Sequence, residues 1–491
     1  MIVEFANSVW RKFRKTFGKD EYFIFWTSLL FYFLLFFNLN NKTLAIFFAL
    51  LVFVLFTKFK NLKEALFWGF VISFPITVGK TYLVELIPAD QLYTPDNPEG
   101  YFLKLVISQG DIIALFMLPL LVRNLFLLWR RRELAFDNIL IFLFFLIILV
   151  LSSTLNSQNL PVSSFFFLKF LTLPLIFLYS RYLIDWSPKR KDVLLSILLS
   201  QVVFEGFFVF LQFAHGGPLG HSLESMTRIV PFGRGTDEDV WRFRPTGTFD
   251  HANMVAAFLL PTVILNFAIF YRQKKEGLDY FLLPLIIGML TLAITLSRSA
   301  WGSFLLGIII LTYILEKKYR LRLEEFYRKR FVLIIIFAFL TIPFFIGPRV
   351  LSTFNTFVSG GSLVTRVDLI KEALELLHQN PFLGVGLGMS VPEMFKNNPH
   401  GMMYFFPSPV HNWYLYFASE VGIFALLAFL FLLYFSFKRL FQRRLVDVFS
   451  IGAFVAILVM LFNGILQPFL GNEELLYIFL GMFVAQNKLH D

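Results

Sequence analysis

The chain predicts an all-α, polytopic integral membrane protein, and three observations carry that fold class. Of its 491 residues 57% are hydrophobic and only 16% charged, whereas soluble proteins carry about a quarter charged. Apolar runs long enough to cross a bilayer recur along the whole sequence. The Lys and Arg residues collect in every second loop between those runs, as the positive-inside rule requires. The expectation is about 12–14 transmembrane helices with a large outer loop that carries short amphipathic helices. The net charge of +11 comes from short basic clusters rather than one basic face, which argues against a nucleic-acid partner. With no Cys, disulfides, thiolate metal sites and Cys nucleophiles are excluded.

The candidate spans are 22–38, 43–57, 64–79, 108–128, 138–154, 163–182, 192–213, 251–271, 279–297, 299–316, 331–347, 411–436, 447–466 and 473–486. The first follows Arg11, Lys12, Arg14, Lys15 and Lys19 and lacks a small-residue cleavage site, so it reads as a retained span. With both termini cytoplasmic, the inner loops hold Lys58, Lys60 and Lys63; Arg130 to Arg132; Arg181 and Lys189 to Lys191; Arg272, Lys274 and Lys275; the cluster from Lys317 to Arg330; and Lys438, Arg439, Arg443 and Arg444. The chain then divides into N-terminal membrane helices (1–213), membrane helices with Arg-bearing outer turns (214–347), an outer loop (348–410) and C-terminal membrane helices (411–491). Its 67 Phe exceed what packing needs, and lipid-facing surface tolerates them.

Residues 279–316 form a nearly unbroken apolar run of about 57 Å at 1.5 Å per residue, almost twice the hydrocarbon thickness. Both flanking loops are basic, so the run crosses twice and turns at its charged point, Ser297-Arg298-Ser299. Three regions thereby share the outer side: the loop 214–250 with Arg228, Arg234, Arg242 and Arg244, the Arg298 turn, and the loop 348–410. Arg298 fits an anion-binding role and fits simple snorkelling to headgroups equally well.

Within the long outer loop, Thr365-Arg366-Val367-Asp368 has the form of a capping box. Val367, Ile370, Leu374 and Leu377 follow at helical spacing until Asn380-Pro381 stops an interfacial helix. Arg366 then lies in the first turn, where free N–H groups and the helix dipole favour an anion; pairing with Asp368 or snorkelling is the alternative. Gly384-Val385-Gly386-Leu387-Gly388 lacks a strand-turn-helix setting, so it signals tight turning or close backbone approach rather than a nucleotide loop.

His411 stands before Asn412-Trp413-Tyr414-Leu415-Tyr416, an aromatic belt that places its imidazole at headgroup depth, with Pro407 and Pro409 just upstream. A neutral His there, with a pKa expected near the working pH, can accept a proton from a sugar hydroxyl; a structural hydrogen-bonding role is the alternative. His400 and His378 are weaker candidates, and no paired-His spacing supports a metal. Lys169 and Glu205 lie on neighbouring predicted spans and are expected to pair, a proton relay being the minority reading. No Ser/His/Asp set accompanies His411.

Taken in order, Arg244-Pro-Thr-Gly-Thr-Phe with Asn253, Ser297-Arg298-Ser299-Ala300-Trp301, Arg366 leading to Asn380-Pro-Phe-Leu-Gly-Val-Gly386, and His411-Asn412 followed by Glu420-Val-Gly422 resemble the O-antigen ligase and polymerase superfamily over roughly residues 240–436. The resemblance implies an inner-membrane glycosyltransferase that takes glycan from undecaprenyl diphosphate on the periplasmic side, without metal or other cofactor and with inversion. It implies His411 as general base on the acceptor hydroxyl, Arg298 and Arg366 on the diphosphate with Arg244 as a weaker addition, and Asn412, Asn253 and Glu420 in support. The implied partners are an undecaprenyl diphosphate-linked glycan donor, a lipid A-core or growing-glycan acceptor, and membrane lipids. An O-antigen polymerase or a protein O-oligosaccharyltransferase would use the same groups. A transporter, from a different class, would keep ionisable groups and broken helices near the midplane.

Overall fold

The structure, a computed structural model, describes residues 18–36, 41–73, 82–84, 105–134, 136–221, 224, 244–249, 251–272, 278–319, 361–401, 408–442 and 447–485. The expected span 331–347, Arg228, Arg234, Arg242 and Pro407 lie outside them. Among the described residues eight helical segments are long and apolar enough to cross a membrane, and Ile46–Phe59 and Phe281–Ile294 are shorter apolar helices. The all-helical expectation has one small exception, an antiparallel ribbon of β1 (Tyr82–Val84) and β2 (Leu105–Ile107) that pairs Leu83 with Val106.

The chain divides into two compact units. The first contains α1 (Gly18–Leu35), α2 (Asn41–Phe59), α3 (Leu62–Ser73), α8 (Pro188–His215), α9 (Ala252–Arg272), α10 (Leu278–Ile294), α11 (Arg298–Tyr319) and most of α16 (Val448–Leu466). Its central element is α8, which begins with Pro188 in the first turn and ends at Gly216 in the left-handed conformation (φ +73°). Three polar residues of α8, Gln201, Glu205 and Gln212, are buried. At 100° per residue their spacing puts them on one face. Gln201 Nε2 donates to the Val71 carbonyl at 2.9 Å, while Lys191 pairs with Asp447 (2.6 Å) and Arg190 with Glu64 (2.7 Å) near the start of α8.

The second unit contains α4 (Gln109–Arg130), α5 (Asn138–Leu155), α6 (Leu160–Phe170), α7 (Thr172–Tyr182), α12 (Gly361–Gln379), α13 (Ser390–Asn397), α14 (Trp413–Val421), α15 (Ile423–Gln442) and α17 (Glu473–Val484). Here α5 packs on α15 and α7 on α17. Asp137 caps α5 and takes both Nη groups of the buried Arg181, at 3.1 and 2.6 Å.

Three expectations are corrected. Lys169 does not pair with Glu205: it binds Asp111 at 3.1 Å, the carboxylate that completes the capping box of α4 with Ser108, while Glu205 is engaged by Thr248. The run 411–436 is two helices, because Gly422 (φ +84°) ends α14 and the long apolar helix starts only at Ile423. Finally, α12 begins at Gly361, so Thr365 is no cap and Arg366 sits in the second turn, beyond the first free N–H groups. Asp368 instead pairs with Lys371 one turn on, at 3.0 Å. The buried face of α12 is Leu369, Ala373 and Leu376, whereas Val367 and Leu374 are about half exposed. Its stop at Asn380-Pro381 falls where expected.

Candidate functional site

In the second unit, Leu369, Ala373 and Leu376 of α12 pack against Val391, Met394 and Phe395 of α13 and against Val410. Val410 is fully buried and immediately precedes His411. Seating it on α12 therefore brings His411 within electrostatic reach of Arg366. Asn412 caps α14, its Oδ1 accepting from the Leu415 amide at 3.0 Å, and its own amide donates to the Val410 carbonyl at 2.8 Å. Trp413 stacks on Phe417 at 5.0 Å and donates from Nε1 to Glu473 at 3.2 Å. The residues following His411 are thus held by a cap, a ring stack and a half-buried carboxylate.

Burial and then the neighbouring Arg366 charge lower the His411 pKa from its usual 6.5 to about 4, partly offset by a hydrogen bond with the Pro409 backbone. The expected pKa near the working pH is thereby corrected: the imidazole is neutral at pH 7 but a weaker base than an ordinary histidine. His378 and His400 are exposed on the surface.

Glu420 does not share this position with His411. Its carboxylate is buried and accepts from the Ser390 hydroxyl at 3.0 Å, and its carbonyl accepts from Ser153 Oγ (2.8 Å) and the Gly386 amide (2.9 Å). The glycine-rich loop lies directly on this backbone: Gly384 has φ +65°, and a Cβ there would collide with the Glu420 peptide. Close backbone approach is the role the loop's composition pointed to, and Glu420 is its anchor.

In the first unit the turn at Ser297-Arg298-Ser299 forms where expected: α10 ends at Ile294 and α11 starts at Arg298. Leu296 takes the left-handed conformation (φ +55°) to reverse the chain, and Trp301 Nε1 donates back to the Leu292 carbonyl at 2.9 Å. Arg298 is half-buried at the helix start. Arg244 reaches this turn, donating from Nε and Nη2 to the Thr295 carbonyl at 3.1 and 3.0 Å and from Nη2 to Asn253 Oδ1 at 2.8 Å. Arg244, Asn253 and the Arg298 turn are thus assembled in one unit, and Arg366, His411 and Asn412 in the other.

Sequence reasoning missed Ser390, Ser153 and Gln212. The signal for Gln212 was an amide at the end of a long apolar run, but nothing local names its partner.

No curated protein matches the chain. Residues 283–430 match the family model described as O-antigen ligase, a stretch under a third of the chain that includes Arg298, Arg366, His411, Asn412 and Glu420 and leaves out Arg244 and Asn253. Over these residues the chain is similar to the O-antigen ligase family.

Proposed function

We propose that the protein is a periplasm-facing, metal-independent, inverting glycosyltransferase of the bacterial inner membrane, with both termini cytoplasmic. In this reading it moves glycan from undecaprenyl diphosphate to a sugar of lipid A-core. The observation that supports it is a half-buried His411 that Val410, packed on α12, holds within electrostatic reach of Arg366.

His411 accepts the proton of the acceptor hydroxyl as its oxygen attacks the anomeric carbon. The bond from that carbon to the diphosphate oxygen breaks with its electron pair passing to the diphosphate, whose charge arginine stabilises. Arg298 and Arg366, with Arg244 in a lesser part, are the cations this reading assigns to that group. Arg366 also has an electrostatic effect on the base. Before donor binds, burial and then the Arg366 charge hold His411 weakly basic, and an arriving diphosphate offsets that charge and raises its proton affinity when acceptor is present.

Glu205 is the ionisable group that a transporter would place deep in a span, but both its oxygens are taken by Thr248. That favours the enzyme reading. Incubation of purified protein with a lipid diphosphate-linked glycan and single acceptors tests it. Undecaprenyl diphosphate should be released only with a lipid A-core acceptor, and equally in excess chelator, because arginine in place of a metal ion stabilises the leaving group. Release with carrier-linked glycan or with a Ser/Thr peptide instead would make the protein a polymerase or a protein glycosyltransferase. Release with no acceptor would remove the transferase reading.

A further inference from the structure

The polar face of α8 grips the turn after Arg244. Glu205, 1% exposed, accepts from the Thr248 hydroxyl at 2.6 Å and the Thr248 amide at 3.1 Å. Gln212, equally buried, accepts at Oε1 from the amides of Thr246 (3.0 Å) and Gly247 (2.9 Å), and its Nε2 donates to the Gly247 carbonyl at 3.0 Å. A second bond from Gln212 Nε2, to Glu224 Oε1 at 2.8 Å, ties down the amide itself. Gly247 has φ +61°, and a Cβ on it would run into the Glu205 carboxylate, so side chain and turn are in direct contact.

We infer that Glu205 and Gln212 are positioning residues for Arg244 and, through it, for the Arg298 turn. The inference rests on the reading of these arginines as the donor's anion-binding groups. Pro245 restricts the backbone between Arg244 and the gripped residues Thr246 to Thr248, so fixing the turn fixes the origin of the Arg244 side chain. The guanidinium then spans to the Thr295 carbonyl and Asn253. Thr295 lies three residues before Arg298, and the chain between them is the strained reversal at Leu296. An irregular segment packed on a membrane helix must have its amides satisfied, and that need alone would be met by any acceptor. Here the acceptors are two side chains spaced seven residues apart on one helix face, so their separation sets the position of the turn as well as its bonding.

The test uses the full-length protein with Glu205→Ala, Gln212→Ala and Glu205→Gln, each alone, and Glu205→Ala combined with Arg244→Lys. Amide exchange at 246–248 should accelerate in both Ala variants. Glu205→Ala should raise the KM for the lipid diphosphate donor by about tenfold, the scale of coupling between contacting residues, while kcat changes less than about threefold. Glu205→Gln, which keeps an acceptor for the Thr248 amide, should recover most of the affinity. The double variant should be no worse than Arg244→Lys alone, because Glu205 acts through that arginine. Unchanged donor KM in folded Glu205→Ala protein, unchanged amide exchange, or losses that multiply in the double variant would each overturn the inference. A wild-type protein that binds no donor fails at an earlier point, removing the transferase reading and this inference with it.

Discussion

Replacing His411 by Ala should slow glycan transfer by about 10²–10⁴-fold, the usual contribution of a general base, while leaving donor affinity near that of the wild type. Asn412 supplies the cap of α14 and Val410 the packing, and neither depends on the imidazole. The variant should therefore fold. A His411 that is only structural predicts a different outcome, with yield, thermal stability and transfer falling together. The pH profile sharpens the distinction. With the pKa lowered to about 4, kcat/KM, which reports the free enzyme, should hold its level down to about pH 5 and fall only below it. The acid limb of kcat should lie at higher pH, because bound diphosphate offsets Arg366 and raises the basicity of His411. Stability has the same sign: from pH 6.5 down to about 4 the unfolded imidazole takes up a proton that the folded one refuses, so stability declines as pH falls through that window. An acid limb of kcat/KM near 6.5 would show that Arg366 and burial do not act on the base.

Gly384→Ala should be among the most destabilising single substitutions in the second unit. A left-handed residue with a Cβ costs about 1–2 kcal/mol, and here the new carbon meets the Glu420 peptide backbone, which cannot swing aside. The total should exceed roughly 3 kcal/mol, read as loss of folded yield or a large fall in thermal midpoint. Gly302→Ala is the control. It lies exposed within α11 with nothing near the added carbon, so it should be neutral or stabilising by up to about 1 kcal/mol. Equal thermal midpoints for the two variants would mean that the glycine-rich loop does not rest on Glu420.

Sequence carried the features that depend on local chemistry. The charge at Ser297-Arg298-Ser299 located the reversal between α10 and α11, because a basic loop on each side leaves a long apolar run no other place to turn. Asn380-Pro381 located the end of α12, since Pro disfavours helix in the residue before it. The start of α12 was obscured because Thr365 and Asp368 fit a capping box and serve equally well inside a helix, where Asp368 meets Lys371. The split at Gly422 was hidden by apolar residues on both sides. Partner choice was the least legible. Lys169 and Glu205 have complementary charges, but their partners are the capping carboxylate Asp111 and, 43 positions along from Glu205, Thr248. No periodicity encodes such pairings, because helix packing decides them. The same limit applied at the site, where His411 and Arg366 stood out by residue type but their proximity follows from Val410 packing on Leu369, Ala373 and Leu376.

The step proposed for His411 is direct attack of the deprotonated acceptor hydroxyl on the carbon that bears the diphosphate. It is tested most directly by the anomeric configuration of the new linkage, determined by NMR on product made from a donor of one defined anomer. A single displacement must invert that centre, and the inverted anomer is the expected product. Retention would require a covalent glycosyl-enzyme intermediate formed by a nucleophile other than the acceptor, and would contradict the role given to His411.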